Sequence, residues 1–128
     1  MQVPPKVNIV RSDFSYPSLL DAFRGQKLAV DMVASMPVPA RKILIDAIVD
    51  AGVERLIPGE FSSNMENPAM IALWEMHGDR VEIRKYLREK ASQKPSFSWT
   101  TVTVGPFYDW VCAKTLPLPL TGIVAKPF

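Results

Sequence analysis

The chain has 128 residues, 48% of them hydrophobic, and a formal net charge of +2. That length suits one domain with a core of its own, and that charge is too small to point to a nucleic-acid or membrane partner. Cys112 is the single cysteine, which excludes an internal disulfide and fits a reducing compartment.

No apolar run reaches the roughly 18 residues of a membrane span. The amino end lacks the basic-then-apolar pattern of a signal peptide, so the cytoplasm is the expected location. No spacing of Cys, His, Asp or Glu suggests a metal site.

Val7, Ile9 and Val10 form a short β-branched run that predicts a strand, with Arg11, Ser12 and Asp13 at its carboxyl end. Pro17 suits the first turn of a helix whose apolar face is Leu19, Leu20 and Phe23 and which Gly25 closes. A second strand is predicted over 28–33, with a loop over 34–39. In the helix expected over 39–51, Ile43, Leu44, Ala47, Ile48 and Ala51 recur on one face, and Gly52 stops it as a left-handed cap. Val53 to Ile57 reads as a short buried strand that Pro58 and Gly59 end.

Residues 62–68 are polar and loop-like, and 70–76 make half a helix. A longer helix is predicted over 79–92, with Val81, Ile83, Leu87 and Ala91 inward and Lys85 paired to Glu89 outside. The last strand is expected over 97–104, and the prolines of 116–128 make that tail irregular. Alternating strands and helices of this length imply an α/β fold with a mostly parallel sheet. Ligands of open α/β sheets sit outside the carboxyl ends of strands, which puts the expected site at 58–64.

Three stretches carry a family resemblance. AGVERLIPGEFSSN (51–64) resembles the helix–strand–loop signature of the isoflavone reductase-like, NmrA-like proteins, which are atypical short-chain dehydrogenases that read there like AGVKRFIPSEFG. SFSWTTVTVGPFYDW (96–110) is similar to the family's next strand and the loop after it. VNIVRSDFSYPSLLDAFRGQKLAVDMVAS (7–35) resembles a strand ending in Asp, a short helix, and a strand that runs under the cofactor.

The resemblance covers most of the chain but only the middle of a family member. It implies a partial Rossmann-type three-layer unit over 1–115 followed by the Pro-rich tail. The family's Gly-rich turn, which lets backbone approach a pyrophosphate at a helix N-terminus, has no counterpart, because glycines 25, 52, 59, 78, 105 and 122 are too far apart. The expectation is a truncated relative, without that turn and without the family's C-terminal substrate region.

The resemblance also implies roles. Asp13 stands where an acidic residue sits near the cofactor's adenine, and Ser35 and Met36 lie on the loop that passes along the cofactor. Pro58, Glu60 and Phe61 fall on the best-matched loop, with Gly59 where Ser is common. Phe107, Tyr108 and Trp110 follow the last strand, where the family places the nicotinamide and the substrate pocket, and they suit an aromatic wall. The family pattern K-x-x-[VI]-R ends on Ile83 and Arg84, which puts Arg80 at the position of a catalytic lysine. A guanidinium cannot give and take a proton as a tuned lysine can, but it can hold a carboxylate or phosphate. His77, the one histidine, is the nearest proton carrier in the sequence.

The function implied is an NADPH- or NADH-dependent oxidoreductase acting on a small, aromatic type of secondary metabolite, with NADP as cofactor. Two alternatives stand beside it: a non-catalytic NmrA-like regulatory or binding module, and a cofactor-free isomerase or cyclase that reuses the pocket. The apolar tail suits a homodimer or a partner chain.

Overall fold

The computed structural model describes residues 7–33, 36–61, 64–72 and 76–105. Helix α1 (Tyr16–Phe23) carries Pro17 in its first turn, where a missing N–H costs nothing, and it buries Leu19. Strand β1 (Leu28–Val30) leads to helix α2 (Val38–Asp50), which has Pro39 in its own first turn. At the far end of α2, Gly52 adopts φ 85°. Its N–H reaches Val49 O at 3.2 Å and the Val53 N–H reaches Ile48 O at 3.3 Å. These two bonds satisfy the last helical carbonyls and turn the chain into strand β2 (Arg55–Ile57), as Gly52 predicts. Helices α3 (Pro68–Ala72) and α4 (Met76–Gln93) follow, and then strand β3 (Ser98–Trp99).

The three strands form one parallel sheet in the order β1-β2-β3. Ala29 aligns with Leu56 and Leu56 with Trp99. The fold is therefore α/β, as the alternation of elements predicts. Ala29 and Leu56 share one core with Leu19 of α1, Leu44 and Ile48 of α2, and Ile83 and Leu87 of α4. Burying side chains such as Ile48 and Leu87 supplies about 1.5–3 kcal/mol each. The described residues thus provide the sheet and one helical layer, while Leu28 and Val30 on the opposite face are 52% and 48% exposed.

Several details differ from the sequence reading, among them the strand expected over 28–33, which is Leu28–Val30, and the half-helix expected over 70–76, which is Pro68–Ala72. Residues 7–10 form no strand, and Val7, Ile9 and Val10 are exposed. A β-branched run has strand propensity, but it needs a ladder partner, and the described sheet ends at β1. Helix α2 buries Ile45 and Val49 and leaves Ile43 exposed, because it lies between α1 and α4 and needs a wider apolar arc. Glu89 accepts from Gln93 Nε2 at 3.1 Å rather than pairing with Lys85. The strand expected over 97–104 shrinks to Ser98–Trp99, since its partner β2 is itself short.

Candidate functional site

The strand-exit loops meet at the carboxyl edge of the sheet, and two buried ion pairs hold them. After β1, the Asp31 N–H continues the ladder to Ile57 O at 2.9 Å. The Asp31 side chain then turns inward, where Oδ2 lies 3.1 Å from Arg41 Nη1 and Oδ1 accepts from the Val33 N–H at 2.9 Å. Arg41 Nη2 donates to Val33 O at 2.9 Å.

After β2, Pro58 is buried and Gly59 packs directly on this first pair. A Cβ on Gly59 would lie 3.0 Å from Arg41 Nη1 and 3.1 Å from Asp31 O. Glu60 comes next, 3% exposed, and its Oε2 accepts from Arg84 Nε at 2.7 Å. Arg84 also approaches Thr101 Oγ1 after β3, at 3.4 Å, and Glu66 at 3.6 Å; Arg88 holds Glu66 at 2.9 Å. Glu60 Oε1 is buried with no hydrogen-bond partner among the described residues.

The entry to α1 forms the near wall. Phe14 has φ 61°, a left-handed conformation that is unusual for a bulky residue. Its N–H is taken by Ser12 Oγ at 3.0 Å, and the Ser15 N–H by Asp13 Oδ1 at 2.9 Å. The hydrogen bonds from Ser15 hold the exposed Asp13 carboxyl below the usual range. Between this entry and the start of α2 lie two adjoining pockets. One, of about 280 Å³, is lined by Phe14, Val33, Met36, Pro37 and Ala40. The other, of about 210 Å³, also touches Phe14 and Val33 and continues past Asp31 toward the core. Together they make a groove with largely apolar walls.

The residues singled out in the sequence fall into five groups. Met36 lines the groove, and Asp13 flanks Phe14 at its rim. Pro58 and Glu60 are buried under the edge, and Phe61 is 36% exposed beside them. Arg80 lies half-buried on α4, one turn before Arg84 and on the same face. His77 falls in the first turn of α4, with its side chain outside the described residues. Ser35, Phe107, Tyr108 and Trp110, the tail 116–128 and Cys112 also lie outside the described residues.

Sequence reasoning missed Asp31 and Arg41 and gave Arg84 no role of its own. The available signal is a repeated one: a carboxylate at or just past a strand end, followed by an arginine in the next long helix.

A separate polar cluster joins α2 to α4. Asp46 Oδ1 accepts from the Tyr86 hydroxyl and from Lys90 Nζ, each at 2.6 Å. The ammonium groups of Lys42 and Lys90 stand 5.3 and 5.0 Å from the Tyr86 ring centroid. Burial, and then the bond to Asp46, push the Tyr86 hydroxyl pKa up; the bond to Asp46 pushes Lys90 up. Among the described residues no His, Cys, Asp and Glu group could hold a metal, and no helix is long and apolar enough to cross a membrane.

A parallel sheet with its site at the carboxyl edge, held by strand-exit loops, defines a Rossmann-type α/β unit. The chain belongs to the NmrA-like family, whose model matches residues 4–119. It is 36% identical over 109 residues to Oxidoreductase aprR of Aspergillus flavus, covering 83% of this chain and 36% of that protein. It is 28% identical over 119 residues to Oxidoreductase poxI of Penicillium oxalicum, covering 93% of this chain and 37% of that protein. The chain thus spans about a third of the length of these curated relatives. Among solved structures it is similar to "AtPrR2 with NADP+ and (+)pinoresinol", with a TM-score of 0.65 and 22% identity over 80% of this chain and 34% of that one. That likeness shows the fold.

Proposed function

We propose that this chain is part of an NADPH- or NADH-dependent oxidoreductase acting on a small, aromatic type of secondary metabolite. The observation that carries this reading is the apolar groove at the carboxyl edge of β1, between Phe14 and the start of α2. Its walls suit a flat ring, and Asp13 at its rim suits the polar edge of an adenine. The relatives named as oxidoreductases, and the similar structure solved with NADP+ and (+)pinoresinol, support the same reading.

The described residues fit the ring of such a cofactor better than its phosphates. The guanidinium groups of Arg41 and Arg84 are already committed to Asp31 and Glu60, and no glycine-rich cradle is formed among these residues. When bound, a reduced nicotinamide supplies a hydride. In this reading Ser35, Met36 and Phe61 line its path, and the buried Pro58 and Glu60 support the loop beneath it. Arg80 grips a carboxylate or phosphate, His77 donates the proton, and Phe107, Tyr108 and Trp110 wall the substrate.

Titration of the 128-residue chain with NADPH and NADH tests this, read by tryptophan fluorescence and by melting temperature. Saturable binding with a raised melting temperature supports it. A folded chain that binds neither overturns it. A non-catalytic binding module is the second reading, favoured by Arg80 at the position of the family's lysine; it predicts nucleotide binding with no hydride transfer to any substrate.

A further inference from the structure

We propose that the Asp31–Arg41 ion pair is the positioning element of the groove, fixing Val33 so that the walls stay one flat aromatic ring apart. This rests on the ring-binding reading above.

Val33 is held at both backbone groups by the two partners of a single ion pair: its N–H by Asp31 Oδ1 and its carbonyl by Arg41 Nη2, each at 2.9 Å. The pair is largely dry, with side-chain exposures of 4% for Asp31 and 12% for Arg41. A charge-assisted network in such a setting is stiff, because every alternative leaves a buried charge or a peptide group unpaired.

The pair also bridges the groove. Val33 belongs to the β1 side and lines both pockets. Arg41 follows Ala40 on α2, and Ala40 and Pro37 also line the groove. Arg41 therefore ties Val33 to the α2 side of the groove. Gly59 packs closely behind the pair, where an added methyl group would come within 3.0 Å of Arg41 Nη1. Asp31 is anchored from behind by its ladder bond to Ile57. Neither residue needs to touch the ring. Each acts through Val33, and the ligand class selected is a planar aromatic ring such as a nucleobase, whose faces are apolar.

The test uses the 128-residue chain and its variants Asp31→Asn, Arg41→Met and Arg41→Lys, with Val53→Ala, a core residue outside the groove, as a control. NADPH and AMP are the probes, AMP isolating the base from the nicotinamide end. Affinity is measured well below each variant's melting temperature, and amide hydrogen exchange is followed at Val33. Asp31→Asn and Arg41→Met are expected to weaken both probes by about tenfold or more, the loss of one charged hydrogen bond, and to speed Val33 exchange. Arg41→Lys keeps the charge but loses the fork that reaches Val33, and so falls between. Val53→Ala lowers the melting temperature and leaves affinity and Val33 exchange unchanged.

Wild-type binding with undiminished binding by Asp31→Asn and Arg41→Met overturns the positioning role and leaves the ring-binding reading standing. If the wild type binds neither probe, the ring-binding reading falls and the Val33 amide decides: faster exchange than in the control keeps the positioning role, equal exchange overturns it. Should Arg41→Met fail to fold, Arg41→Lys carries the comparison.

Discussion

Arg84 donates its Nε–H to Glu60 Oε2 at 2.7 Å, and these two buried residues are the acid of the loop after β2 and the arginine that closes the K-x-x-[VI]-R pattern on α4. Two motif positions 24 residues apart are thus one interaction. Breaking it from one side strands the other charge: Glu60→Leu alone and Arg84→Met alone are each expected to cost about 3–5 kcal/mol, and the two together clearly less than either single change. Urea unfolding of the three variants checks this. A double variant whose loss equals the sum of the two single losses would mean the pair is not coupled.

Gly59 is required for space, not for its backbone angles. Gly59→Ala brings a methyl group to 3.0 Å from Arg41 Nη1 and 3.1 Å from the Asp31 carbonyl oxygen, tighter than ordinary contact, and Asp31 is itself held by the bond from its N–H to Ile57 O. The expected cost is about 1–3 kcal/mol. A melting temperature equal to that of the wild type would refute the packing.

Phe14 holds a left-handed backbone while presenting its ring to the groove. Phe14→Gly removes about 1–2 kcal/mol of steric strain against a gain in unfolded-chain freedom of about 0.5–1 kcal/mol. Stability should barely move while NADPH binding weakens severalfold. Undiminished binding would show that the ring is not part of the site.

The Tyr86–Asp46–Lys90 cluster predicts an alkaline limb. Both Tyr86 and Lys90 titrate above their ordinary values in the folded chain. The folded chain therefore holds these protons more tightly than the unfolded one. The stability they contribute is fully present below about pH 10, the ordinary range of such groups, and is lost as the pH rises through the raised values. Urea midpoints should be flat from about pH 7 to 9 and then fall, with a shallower fall in Tyr86→Phe. An identical fall in that variant would assign the limb to other groups.

What the sequence made legible was local. Gly52 marked the end of α2 because only a left-handed residue closes that turn, and the 3.6-residue period marked α2 and α4 because each presents one apolar side to a core. Residues 7–10 misled because strand propensity says nothing about a partner. Topology pointed to the carboxyl edge, but not to the two ion pairs that lie there. Asp31 with Arg41, and Glu60 with Arg84, depend on which way side chains point once helices pack on the sheet, and no spacing rule contains that.

The contact between Gly59 and the Asp31–Arg41 pair also bears on how this segment can vary among relatives. Positions 31, 41 and 59 share one small volume, so they are expected to vary as a set. Serine at the position of Gly59 calls for volume given up at one of the other two. Transplanting that serine alone into this chain imports a clash, and transplanting all three residues together imports a working corner. Chimaeras between this chain and its longer relatives should therefore take their junctions outside 31–59, keeping both halves of the corner from one parent.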